Sequence, residues 1–224
     1  MSVITISRQY GSGGDEIAVR VCELTGFRYF DKDLIARVVA DLGLAQQDIV
    51  DYSEDSYQVR SFVERVMGTS RVVSETHILK GETAAGGADL EIKRLDESDT
   101  IALVRSAVQA AYKLGDVVIV GRGGQAILQP SLGVLHVRIE APLSVRIQRV
   151  QDEAHITRSL AQEIIAARDA AAADYIKRFY YLNWADPTLY HLVLNTGRWG
   201  VEQTALIIEH ALERMAEPEA LAAA

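Results

Sequence analysis

Gly11, Ser12, Gly13 and Gly14 stand together behind a short apolar, β-branched run, Val3–Ser7, and ahead of a helical pattern. Glycines in such a turn let the backbone approach a ligand closely, and the N–H groups at a helix start favour an anion. The chemistry on offer is the holding of a phosphate group. A tight strand-to-helix turn without ligand would use the same residues, but four small residues in a row weigh toward binding. Asp15 and Glu16 follow at once. As first-turn acids they stabilise the helix by ~0.3–1 kcal/mol through its dipole. Toward a phosphate at ~5 Å, in an effective dielectric of ~20, one such charge is repulsive by about 3 kcal/mol. A bridging Mg²⁺ would reverse that sign, since carboxylates are good magnesium ligands.

Arginines supply the complementary charge. Arg122 follows the apolar strand pattern Asp116–Val120. In a parallel sheet that position is the carboxyl edge, where open α/β sheets bind ligands, and guanidinium suits bidentate phosphate contact. Arg8, just past the first strand, is a second candidate. Arg146 and Arg149 lie three apart on an expected helix and so share a face. Arg158 and Arg168 lie further along, and each alone also fits a solvated helix face. The five histidines show no metal spacing such as H-E-x-x-H, and no metal ligand is assigned.

The elements that must position these residues follow from hydrophobic periodicity. Ile17, Ala18, Val21, Cys22 and Leu24 mark one helical face, and Gly26 stands where a C-cap glycine would. Phe27–Phe30 reads as a short strand. Asp31 reads either as the cap of a helix through Leu34, Ile35 and Val38 or as a ligand-orienting acid. Between Asp48 and Asp99 the pattern weakens: Tyr52–Met67 is helical but polar, and Gly81–Asp89 reads as a loop. Thr100–Leu114 is an amphipathic helix and Val134–Ile139 a strand, with Pro142 placed to start the next helix. Ser144–Tyr181 is helical with a break near Ala154–Thr157. His191–Leu194 is a last strand and Val201–Met215 a closing helix, with a frayed tail at 217–224. Strands alternating with helices imply a mainly parallel sheet covered on both faces.

The bulk numbers bound the rest. The 224 residues suffice for one core with a small insertion, and 49% hydrophobic with 24% charged residues is globular composition. A net charge of -8 argues against nucleic-acid backbone as a partner, yet a local arginine cluster can still bind a small anion. No apolar run has membrane-span length, and the opening VITIS has no signal-peptide character. Cys22 is the single cysteine, which excludes an internal disulfide. The expectation is a cytoplasmic protein with a small-molecule nucleotide as its partner, no nucleic acid and no membrane.

Ile4-Thr5-Ile6-Ser7-Arg8-Gln9-Tyr10-Gly11-Ser12-Gly13-Gly14 with Glu16-Ile17-Ala18 resembles the opening of the cytidylate kinase-like family. Tyr29-Phe30-Asp31-Lys32-Asp33-Leu34-Ile35, Val118-Ile119-Val120-Gly121-Arg122-Gly123, and Asp186-Pro187 through Tyr190, Asn195 and Thr196 are similar to its later segments, in order. The resemblance implies an α/β, three-layer parallel sheet of P-loop nucleotide kinase type with a helical insertion and a lid. It implies one domain at 1–216, with core 1–47 and 98–215, a monophosphate-binding insertion at 48–97 and a lid at 152–182. Arg60, Arg65 and Arg71 would serve the insertion. The implied roles are catalytic for Arg122, Arg158 and Arg168, and phosphate-binding for Arg8, Gly11, Ser12, Gly13 and Gly14. Asp31, Arg60, Arg146 and Arg149 would bind substrate, and Mg²⁺ with ATP would be the cofactor.

The sequence also departs from that pattern. Laid on G-x-x-x-x-G-K-S/T, the chain has Gly14 at the lysine, and the acids Asp15 and Glu16 follow where the pattern carries a hydroxyl. Asp15 stands where the family carries an arginine, and Ala170-Ala171-Ala172-Ala173 where basic residues are expected. Two readings follow: an ATP-dependent nucleoside monophosphate kinase, or a catalytically impaired nucleotide or anion sensor on the same fold. A third, weaker one is a partner-binding protein that has lost the pocket.

Overall fold

The structure is a computed structural model that describes residues 2–30 and 97–216. Asp31, Arg60, Arg65, Arg71 and the Gly81–Asp89 loop lie outside the described residues, as does nearly all of the expected insertion.

β1 (Val3–Arg8) is the central strand. It leads through the glycine loop into α1 (Gly14–Thr25), which ends on Gly26 at φ 73, and the chain returns as β2 (Arg28–Phe30). From Glu97 the order is α2 (Glu97–Leu114), β3 (Val117–Val120), the short α3 (Gly124–Ile127) and β4 (Val134–Glu140). Then come α4 (Leu143–Ala154), α5 (Arg158–Tyr180), β5 (Leu192–Asn195) and α6 (Val201–Ala216). The break expected near Ala154–Thr157 falls between α4 and α5. Thr157 caps α5, its hydroxyl accepting from the Leu160 N–H. The sequence pattern missed α3, because four residues carry too little periodicity to register.

The five strands are all parallel, in the order β2-β3-β1-β4-β5. Alternation along β1 decides what each face buries. Ile4 and Ile6 join Val118, Val137 and Ile139 beneath α1 and α6, which contribute Ile17, Val21, Ala205 and Ile208. Val3 joins Val117, Ile119 and Val134 beneath α2, with Leu103, Val104 and Val108. These two layers enclose the sheet, giving the three-layer α/β architecture. Ile17 is fully buried, so Ile17→Ala would cost about 2–5 kcal/mol. All the β-to-α connections that hold candidate site residues leave the carboxyl edge of this sheet.

Candidate active site

β1 ends at Arg8, and the backbone must reverse into α1 within five residues. Gly11 and Gly13 do this at φ 74 and 81, in the left-handed region that favours glycine. Space demands the glycines too. A Cβ on Gly11 would lie 2.9 Å from Val150, and one on Gly14 would lie 2.6 Å from the Arg8 Cβ. Within the turn the Ser12 N–H donates to the Gln9 carbonyl, and the first helical bond runs from Ile17 N–H to Gly13. The N–H groups of Gly11, Gly13 and Gly14 have no acceptor among the described residues. They border a cavity of about 140 Å³, which fits a phosphate group rather than a whole nucleotide.

The loop is held from behind by two arginines of α4. Arg149 donates Nη1 to the Ser12 carbonyl at 2.8 Å and to Thr196 Oγ1 at 2.9 Å, and Nη2 to the Thr196 carbonyl at 3.0 Å. Arg146 donates to the Ala141 and Tyr10 carbonyls and to Asp169 Oδ2 at 2.6 Å. Asp169 completes the clamp by accepting the Tyr10 N–H at 2.9 Å. Three elements, the loop, α4 and α5, therefore meet at one ion pair that is largely withdrawn from solvent. The Arg168 guanidinium lies over the Tyr10 ring at 5.3 Å.

The charge balance of the cavity is unfavourable for a polyphosphate. Asp15, Glu16 and Glu153 line it beside Arg8 and Arg149. Arg8 gives its Nε to Asp15 Oδ1 at 3.1 Å. Arg149 is drawn to carbonyls and a hydroxyl, as above.

Arg122 sits in a second glycine turn at the end of β3. Gly121, Arg122 and Gly123 take φ values of 65, 58 and 68 in succession. A left-handed arginine is strained by about 1–3 kcal/mol, and such strain clusters at functional sites. The turn is closed by Gly124 N–H to Gly121, and Gly121 N–H is tied to Ile6 of β1. The guanidinium lies over the Phe30 ring at 6.0 Å, which brings Arg122 to the carboxyl end of β2 as well. Tyr180 of α5 packs so closely on Gly123 that a Cβ there would meet its ring at 2.8 Å.

Along α5 the expected lid residues separate. Arg168 reaches the loop through Tyr10. Arg158 is exposed in the first turn of α5 and is not among the cavity's lining residues. Ten residues at ~1.5 Å rise put the two roughly 15 Å apart along the axis. Of the alanine run, Ala171 and Ala172 are buried, Ala172 against Ile101, Tyr175, Ile176 and Trp184. Lys177 and Arg178, one turn on, are exposed.

Sequence reading missed a buried polar cluster under the loop. Arg138 in β4 is 2% exposed and lies 4.2 Å from the Trp184 ring. It pairs with Glu140 and donates to the Trp184 carbonyl at 2.7 Å. Trp184 in turn donates its indole N–H to Ser7 Oγ at 2.8 Å. The signal was one arginine inside the apolar run Val134–Ile139, whose burial needs such partners. On the same face His136 Nδ1 meets Thr5 Oγ1 at 2.7 Å and its ring stacks on His191. Burial, and next the His191 charge, pushes His136 down to about 4, so it stays neutral near pH 7. Burial pushes the Cys22 thiol up to about 11, which removes it as a nucleophile.

Known proteins are similar to this chain in sequence and fold. The cytidylate kinase-like family matches residues 3–198. The chain is 26% identical over 226 residues to a cytidylate kinase of Methanopyrus kandleri, spanning 97% of this chain and 96% of that one. A cytidylate kinase of Methanocaldococcus jannaschii is 24% identical over 217 residues, spanning 95% and 98%. Among solved structures, an uncharacterized protein from Eubacterium ventriosum superposes with a TM-score of 0.62 at 17% identity. That match covers 95% of this chain and 99% of the other, and it bears on the fold alone. Among the described residues no helix is long and apolar enough to cross a membrane.

Proposed function

The chain belongs to the cytidylate kinase-like family, and on that premise we propose that it binds a nucleoside phosphate on the glycine loop and has lost efficient phosphoryl transfer. The observation that carries this reading is where the cations at the loop spend their hydrogen bonds. Arg8 is paired with Asp15, Arg149 is bound to Ser12 and Thr196, and Arg146 to Asp169. Gly14 stands at the position of the phosphate-binding lysine, and Ala172 is buried where a lid cation was expected.

The backbone fits a phosphate without those cations. The N–H groups of Gly11, Gly13 and Gly14 point a partial positive charge at the cavity, reinforced by the α1 dipole. Ligand oxygens would take hydrogen bonds there, with Arg168 approaching past Tyr10. Glu16 and Asp15 are the carboxylates that would meet a magnesium ion entering with ATP. Among the described residues no group of three acids or histidines could hold a metal alone. When bound, the ion supplies neutralisation of phosphate charge. Positioning and electrostatics do most of the work in phosphoryl transfer, so missing cations weaken the step rather than the fold.

A second reading, an active ATP-dependent nucleoside monophosphate kinase, is favoured by Arg122. Its strained left-handed backbone holds a guanidinium at the sheet's carboxyl edge, where it would grip the acceptor's phosphate. Arg168 and Arg158 would then act from the lid, and Asp31 and Arg60 on the acceptor.

Calorimetric titration with ATP–Mg²⁺ and with CMP, followed by an assay for CDP in the same samples, separates the two. Binding without CDP is the expected result. CDP formation at ordinary kinase rates establishes the second reading, and no binding of either nucleotide overturns both.

A further inference from the structure

The carbonyl of Ser12 is held from behind by a hydrogen-bond relay that starts on β5 and α4. Thr196, just past β5, is 4% exposed. Its N–H donates to the Glu140 carbonyl of β4 at 2.8 Å, and its own carbonyl accepts from Arg149 Nη2 at 3.0 Å. The residue is therefore fixed through its backbone. Its hydroxyl donates to the Ser12 carbonyl at 2.6 Å and accepts from Arg149 Nη1 at 2.9 Å. The same Nη1 donates to the Ser12 carbonyl at 2.8 Å. Both lone pairs of that carbonyl are engaged, one by a guanidinium and one by a hydroxyl that the guanidinium polarises.

Peptide geometry carries this forward to the cavity. The described residues hold no cis peptide bond, and in a trans peptide the C=O and the following N–H point in opposite directions. With the Ser12 carbonyl held from behind, the Gly13 N–H is turned the other way. Gly13 lines the loop cavity, and its N–H has no acceptor among the described residues. Donors on a carbonyl also polarise the peptide and make its N–H a stronger donor, as in any cooperative hydrogen-bond chain. Arg8 and Arg146 are neutralised by Asp15 and Asp169. Among the described residues Arg149 forms no ion pair, and its bonds go to the Ser12 and Thr196 oxygens. Thr196 is not among the cavity's lining residues, so its effect on a bound anion passes through Ser12.

We infer that Thr196 and Arg149 are positioning residues for the anion site, which orient and polarise the Gly13 N–H through the Ser12 carbonyl. The inference rests on the proposal that the glycine loop binds phosphate. It gives an arginine bound to the protein's own oxygens an indirect share in that binding, at a loop that lacks the lysine.

Ser12–Gly13 is the sole Ser-Gly pair in the sequence. The full chain, made by cell-free synthesis with ¹³C at the serine carbonyl and ¹⁵N in glycine, therefore gives one carbonyl-to-amide correlation in NMR, from this peptide. Titration with inorganic phosphate should move its amide proton downfield and saturate. Thr196→Val keeps the branched shape and removes the hydroxyl. It should shift the ¹³C and ¹⁵N signals of the free protein and weaken phosphate binding about five- to tenfold, the scale of one hydrogen bond. Thr196→Ser should restore both. Should Thr196→Val not fold, Thr196→Ala removes the same hydroxyl and takes its place. A threonine that served stability alone would lower the melting temperature and leave the affinity of the folded variant as it was. Unchanged affinity in the folded variant overturns the inference, as does weakened affinity with the Ser12–Gly13 signal unmoved. No saturable shift in the parent overturns the phosphate reading of the loop itself, and the inference with it.

Discussion

Asp15→Asn is the substitution that most directly tests the charge argument. Asp15 lines the loop cavity in the first turn of α1 and is ion-paired with Arg8 at 3.1 Å. A phosphate on the loop amides would stand ~5 Å from that carboxylate. At an effective dielectric of ~20 the repulsion is about 3 kcal/mol, and in bulk water about 1 kcal/mol. Asp15 is 61% exposed, so solvent screening puts the real figure near the lower value. Removing the charge while keeping the shape should therefore tighten nucleotide binding about three- to tenfold. Arg8, 14% exposed, loses its Asp15 partner and can turn to the ligand. Loss of the favourable helix-dipole contact should cost ~0.3–1 kcal/mol of stability. Calorimetry at about 50 mM salt measures the gain, and raising the salt should shrink it, since the effect is between exposed charges. An affinity equal to or below the parent's at low salt would refute the reasoning and mean that Asp15 helps hold the ligand or its metal.

Four further substitutions probe other links. Asp169→Ala leaves the buried Arg146 guanidinium without its carboxylate, which should cost about 3–5 kcal/mol and lower the melting temperature by roughly 10 °C in calorimetric scans. Gly14→Ala drives a methyl into Arg8 and should abolish measurable phosphate binding in titration, because the loop must shift. Arg122→Gly relieves a left-handed backbone, so stability in urea should rise by about 1 kcal/mol while affinity for the acceptor nucleotide falls. His136 is held neutral in the fold at about 4, against ~6.5 in the unfolded chain. The unfolded chain then binds the extra proton, so stability falls as pH drops from ~6.5 to ~4, by about 3 kcal/mol in all. His136→Asn should remove that part of the slope in urea melts across the window.

The elements were legible because their periods are strong. Val3–Arg8, Val117–Val120 and Val134–Glu140 are runs of apolar, β-branched residues, and parallel strands buried on both faces need that composition. Gly26 marked the end of α1 because only glycine enters the left-handed region without strain. The glycine loop was legible for the same reason, and so was Arg122, whose neighbours on both sides are glycines.

Which charges pair with which was not legible. Arg146 and Arg149 share a helix face, as their spacing required, but whether that face meets a ligand or the back of the loop depends on how α4 lies against β1 and β5. Asp169 and Tyr10 are 159 positions apart, and no local pattern relates them. Arg138 stood out only as a charge in a strand beside Glu140, while its partners Trp184 and Tyr190 are gathered by the packing of a distant segment. The sequence by itself determined the layers, the glycine turn and the acids that stand beside it, because backbone propensity and side-chain period act over a few residues. Only the tertiary structure decided that the loop's arginines bond to the protein's own carbonyls and carboxylates and that two of the four alanines are buried, because partners are chosen by three-dimensional proximity.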